Sequence, residues 1–174
     1  MTVPIEIDVW QGEISELEVD ALIVPANESL FMTVGPAASV KRHGGEEVER
    51  EAARQGPIGA GGAVITGGGD LPAPFVIHAV AVGHDLKPDN SRLRAALRAA
   101  LELAEGQGLR RLAVAPLGTE RRVFQSTEVA PIMLDELAAR ALGGVIESVV
   151  IATSSPHEAA AFRVAIEAGR APAR

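Results

Sequence analysis

The chain has 174 residues, a formal charge of −7 and no cysteine. A chain of this length buries about 70% of the surface its unfolded form exposes, so it folds as one domain without staples, and disulfides, thiolate metal sites and a cysteine nucleophile are excluded. The acidic balance argues against duplex nucleic acid, which needs a clustered basic face, and four Phe, one Trp and no Tyr leave no stacking platform for single strands.

In chain order the first strand is expected over Pro4 to Trp10. The second is Ala21 to Pro25, within an apolar run from Val19 that ends abruptly at Asn27. A buried strand closing on a polar residue delivers that side chain to the rim of a sheet, where ligands of open α/β folds sit. The Asn27 carboxamide, with two donors and an acceptor, suits a sugar hydroxyl or an amide; the alternative is a turn-forming Asn bonded to its own backbone. These two strands follow one another without a helix between them, which predicts a mixed sheet.

From Pro36 onward Val40, Gly44, Val48 and Ala52 recur at spacing four, one helix with Pro36 in its first turn. Strands follow at Ala63 to Thr66 and Phe75 to Val82. A helix from Asn90 to Glu105 buries Leu93, Leu97 and Leu101 and stops at Gly106 and Gly108. A strand at Leu112 to Ala115 leads to a helix from Ser126 that buries Val129, Met133, Leu137 and Ala141 and ends at Gly143-Gly144. The last strand is Ser148 to Thr153. Ser155-Pro156-His157-Glu158 reads as a capping box opening a final helix that buries Phe162 and Ile166. This alternation is the pattern of an α/β layer protein, with residues 1–170 as one domain and 171–174 as a frayed tail.

Glycines cluster at Gly56 to Gly62 and Gly67 to Gly69, but neither cluster has phosphate-loop spacing, and both are read as tight turns. His43, His78, His84 and His157 are scattered without metal-ligand spacing, so no metal is expected. His78 is read as a buried histidine satisfied by backbone, and His43 as solvated. No apolar run reaches the ~18 residues of a membrane span and no basic leader opens the chain, which gives a cytoplasmic expectation with no membrane partner.

Gly12-Glu13-Ile14, then Val19-Asp20-Ala21-Leu22-Ile23-Val24-Pro25-Ala26-Asn27, then Leu30, Gly35 and Gly45 resemble the macro domain pattern G-D-I-T…V-D-A-I-V-N-A-A-N-x-x-L…G-G-G…A-G. Gly62 to Thr66, Leu71-Pro72 and Phe75 to His78 are similar to its G-x-A-x-x-T…L-P…x-I-H stretch. The likeness covers residues 4 to 168 and is strongest to macro domains of histone variants. It implies a three-layer α/β/α sandwich with a mixed sheet of about six strands, and ADP-ribose, free or on a macromolecule, as ligand rather than as cofactor.

Carried over residue by residue, Glu13 and Ile14 border the adenine and Asn27 meets the distal ribose. Val34, Gly35 and Pro36 bring amides to the diphosphate at a helix N-terminus. Gly118, Thr119, Glu120, Arg121, Arg122, Val123 and Phe124 form the second phosphate loop, with Phe124 on the distal ribose; Arg121 and Arg122 either pair with the diphosphate or are solvated.

Three departures stand out. Ala37 replaces the acid that ester-hydrolysing members carry, so a binding module without catalysis is expected. The alternatives are a hydrolase of ADP-ribosyl esters or O-acetyl-ADP-ribose that uses Asn27 and ordered water, and a macro fold with another nucleotide or a degenerate pocket. The second loop is one residue short, with Glu120 and Val123 replacing glycines. Ser154 stands where an adenine-stacking aromatic is usual.

Overall fold

Five consecutive residues, Ala21–Pro25, are all buried and form β2, a strand covered on both faces. Because side chains alternate along a strand, Ala21 and Ile23 enter one core and Leu22 and Val24 the other. The computed structural model describes residues 4–140 and 144–170. Its other strands are β1 (Glu6–Gln11), β3 (Ala63–Gly67), β4 (Phe75–Ala79), β5 (Arg111–Val114) and β6 (Ser148–Thr153). Its helices are α1 (Gly35–Gly44), α2 (Glu46–Arg54), α3 (Asn90–Gly106), α4 (Ser126–Arg140) and α5 (Pro156–Arg170).

The strands form one sheet in the order β1-β6-β5-β2-β4-β3. It is mixed as expected, but for a different reason. β1 and β2 are not paired, since β6 and β5 stand between them; the single antiparallel partner is β3, which returns against β4. The remaining pairs are parallel. Gly67 to Gly69 make the β3–β4 turn, where Gly69 has φ 58° and a Cβ on it would collide with the Gly44 carbonyl oxygen. The expected extension of β4 to Val82 is absent, although Val80 to Val82 stay buried as loop.

Helices α1 and α2 cover one face, packing Val40 and Val48 on Leu22, Val24 and Val76. Helices α3, α4 and α5 cover the other, where Leu97, Met133 and Phe162 meet Ile23, Ile77 and Ile151. Each such fully buried side chain contributes about 1.5–3 kcal/mol. The three layers of the α/β/α sandwich are thus set by the two-faced apolar pattern of the central strands.

The single helix expected from Pro36 is broken in two. Gly45 takes φ 100°, its N–H closes α1 on the Lys41 carbonyl at 2.9 Å, and α2 starts afresh. The spacing-four stripe survives the break, because Val40, Gly44, Val48 and Ala52 are all buried. Asp89 caps α3 by accepting from the amides of Ser91 and Arg92 at 2.9 and 3.2 Å. In α4 Val129, Met133 and Leu137 are buried as expected; Ala141 and Gly143 lie outside the described residues, as does the tail 171–174. Ile166 is only half-buried, leaving Phe162 as the anchor of α5.

His78 is buried on β4 and meets the Thr66 hydroxyl at 3.0 Å across the antiparallel pair. Its partner is therefore a side chain on β3 rather than backbone. Burial lowers its pKa to about 4. Below the unfolded value of ~6.5 the unfolded chain takes up a proton that the folded one refuses, so stability falls as pH drops from 6.5 to 4. Urea unfolding of wild type should lose about 3 kcal/mol more across that window than a His78→Gln variant; equal losses would overturn the assignment.

Candidate functional site

The chain leaves β2 toward α1 on one face and leaves β5 toward α4 on the other, and these strands are neighbours. Where adjacent parallel strands send their connections to opposite faces, a crevice opens at their carboxyl ends. Two adjoining clefts of about 370 and 420 Å³ lie there, and Pro25 and Glu120 line both.

The first cleft is lined by Glu13, Ile14, Gly35, Pro36, Ser39 and Arg42 on one side, and by Thr119, Glu120, Ser154 and Glu158 on the other. Pro36, Ser39 and Arg42 share a face of α1 because they are three residues apart. Gly35 has φ 60°, which a side chain would strain, and α1 has no side-chain cap at Val34. The amides of its first turn therefore open toward the cleft, as an anion site requires.

A polar relay under this cleft fixes Glu13. The Ser39 hydroxyl donates to Glu13 Oε2 at 2.5 Å and lies 3.1 Å from the Ser15 hydroxyl. His43 Nδ1 stands 2.9 Å from the Ser39 carbonyl, which can only accept, so Nδ1 carries the proton. Having given its own proton to Glu13, Ser39 Oγ accepts from Ser15, and the chain of donors runs one way. His43, read as solvated, is exposed yet anchors this relay; its ring also lies 3.1 Å from Ser15 Oγ.

Asn27 lines the second cleft. Its Nδ2 donates to the Phe31 carbonyl at 3.0 Å, while its Oδ1 is buried with no partner. Its backbone carbonyl also accepts from Leu30 at 3.0 Å, so Asn27 is both a turn residue and a rim residue. Glu49 holds the loop from outside by accepting from the Met32 amide at 2.6 Å and from Lys41 at 2.9 Å. Partial burial opposes its charge, but that amide and ammonium prevail and keep the carboxyl below its ordinary range. Phe31, Val34 and Leu86 stand exposed around the mouth, and the buried Ala37 lies in the wall.

The loop after β5 closes on itself through the Phe124 amide and the Gly118 carbonyl, at 2.9 Å. Gly118 has φ 82°, and Arg121 and Arg122 are left-handed at 55° and 57°, an observed backbone strain at the cleft. Glu158 ties this loop to the sheet, accepting from Thr119 at 3.1 Å through Oε1 and from Thr153 at 2.8 Å through Oε2. Ser155 caps α5 through the Glu158 amide at 3.2 Å, so half of the expected capping box forms. The Glu158 side chain, freed from the other half, locks the loop instead. Among the described residues no three His, Cys, Asp or Glu side chains converge as a metal site, and no helix is long and apolar enough to cross a membrane.

The family model for the Macro domain matches residues 23–133. The chain belongs to the macro domain family. A macro domain-containing protein of Cupriavidus necator is 37% identical over 136 residues, covering 74% of this chain and 78% of its own length. An uncharacterized protein of Mycobacterium tuberculosis is 36% identical over 170 residues, 98% of this chain but 47% of that protein. This macro domain thus spans about half the length of such curated relatives. In fold it matches the Trypanosoma brucei macrodomain solved with ADP-ribose, at TM-score 0.86 and 24% identity, covering 92% of this chain and 69% of that one. A point mutant of the Oceanobacillus iheyensis macrodomain, solved with ADPR, matches at TM-score 0.84 and 21% identity, covering 92% and 91%.

In this macro domain, the structure brings Glu13, Ile14, Gly35, Pro36, Thr119 and Ser154 to the first cleft, Asn27, Val34 and Arg121 to the second, and Glu120 to both. Gly118, Arg122, Val123 and Phe124 do not line either. Phe124 is a correction: it is buried in the α4 core and packs over Gly118, where a Cβ would meet its ring at 2.7 Å, instead of facing a ribose. Arg122 is exposed, with a left-handed backbone like that of Arg121. Sequence reasoning missed Ser39, Arg42 and Glu158, though helical spacing from Pro36 identifies the first two. His84 and Leu86, from the loop after β4, carry no sequence signal for this cleft.

Replacing Ser39 by Ala leaves the Glu13 carboxylate without its side-chain partner and Ser15 with the His43 ring alone. Urea unfolding should show a loss of about 1–3 kcal/mol, and unchanged stability would disprove the relay.

Proposed function

We propose that this macro domain binds ADP-ribose, free or attached to a macromolecule, and does not hydrolyse it. The observation that carries the reading is Asn27, a residue lining the cleft beside β2: its carboxamide is held by one bond to Phe31, and its other end is a buried acceptor without a partner. Such an acceptor costs free energy until a donor satisfies it, and a sugar hydroxyl is a suitable donor. Glu13, fixed by Ser39, offers an acceptor for an exocyclic amine at the far end of the first cleft. The uncapped start of α1 supplies amides between these ends. Cleft volumes of 370 and 420 Å³ are in the range that ligands of this size occupy, about 300–1,000 Å³. The bound ligand in the T. brucei and O. iheyensis structures of the same fold supports the choice of ADP-ribose.

Absence of turnover follows from Ala37, which puts a methyl group in the wall of the ribose half where an acid would position water. A cytoplasmic location and an ADP-ribosylated macromolecule as partner belong to the same proposal. The test is calorimetric titration with ADP-ribose. Asn27→Ala should weaken binding by about five- to a hundredfold, the worth of one or two hydrogen bonds. No heat with wild type at millimolar ligand would overturn the proposal.

A further inference from the structure

Three glutamates and two arginines line the paired clefts. The glutamates are not equivalent. Glu13 is bonded to Ser39, and both oxygens of Glu158 are taken by Thr119 and Thr153. Glu120 alone of the three keeps a buried oxygen, Oε2, with no partner. It also stands at the crossing between the two halves, since it lines both. A ligand that spans the clefts passes this residue, and on the ADP-ribose reading the segment that passes is the diphosphate.

The geometry points to Glu120 as the specificity-determining residue of the cleft, a built-in anion at the crossing that sets how much negative charge a ligand can carry there. The inference rests on the ADP-ribose reading and extends it from which ligand fits to which form of the protein accepts it. A carboxylate beside a diphosphate repels it, whereas a neutral carboxyl can donate a hydrogen bond to it. The Glu120 and Gly118 amides of the same loop favour the charged form of this carboxyl. Burial pushes that carboxyl above its ordinary value and the Glu158 charge adds to the push, against the pull of those amides.

The charged and titratable groups lining the same clefts are Glu13 and its neighbour Arg42 on α1, Glu158 on α5, Arg121 in the same loop, and His84 from the loop after β4. All of them are common to wild type and to a Glu120 variant. The ratio of the two affinities therefore isolates Glu120 from every other group that responds to pH.

ADP-ribose is titrated into wild type, Glu120→Gln and Glu120→Ala at pH 7.5 and pH 5. At pH 7.5 Glu120→Gln should bind at least about tenfold more tightly than wild type, and the gap should narrow on going down to pH 5, the direction set by the burial that raises the wild-type carboxyl. Glu120→Ala, which keeps the experiment decisive if the Gln protein folds poorly, should gain in the same direction. Equal or weaker binding by both variants at pH 7.5 overturns the assignment, and so does a gap that is constant with pH. If wild type binds ADP-ribose and the variants gain nothing, only this inference fails. If none of the three proteins binds at millimolar ligand at either pH, the ADP-ribose reading fails and this one falls with it.

Discussion

The constraint on which the site depends is the burial of β2 on both faces between β5 and β4. A strand covered on both sides cannot end in a long polar segment without leaving the sheet, so the chain turns out at Asn27 and re-enters as α1 on one face. β5, held in register beside β2 from Ala21 against Leu112 to Ile23 against Val114, sends its chain to the opposite face. The crevice is what remains between two departures that cannot share a side.

Several carboxylates in and around that crevice are put to structural use. Glu13 is oriented by a serine relay, Glu49 clamps the Asn27 loop through the Met32 amide, and Glu158 locks the loop after β5 to β6. Glu49 has an amide and a cation, and Glu158 two hydroxyls, to compensate for lost water, while Glu13 has the one hydroxyl of Ser39. Glu120 keeps one buried oxygen without a partner, and burial raises its pKa. The same residue type thus performs two kinds of work, and the difference lies in hydrogen-bond partners rather than in identity.

Strand and helix positions were largely legible. Apolar runs and spacing-four stripes located all six strands and the cores of the helices, since periodicity is a direct record of which faces are buried. The break at Gly45 was not, because a glycine within a regular stripe is equally compatible with a helix that continues. The site was legible where its residues are adjacent in sequence, as at Glu13-Ile14 or Val34 to Pro36. It failed at Phe124: an aromatic after a glycine loop can face ligand or core, and only the packing of α4 shows that it takes the core.

The sequence by itself determined the layers, the strand that leads to Asn27 and the family likeness, because these follow from local order and short spacings. The tertiary structure decided which of the three glutamates is free, that His43 supports Glu13 from the next helix turn, and that His84 and Leu86 join a wall begun some fifty residues earlier. Partners that meet across the sheet edge leave no periodic trace in the chain. Their hydrogen bonds exist only once β2, β5 and β6 lie side by side.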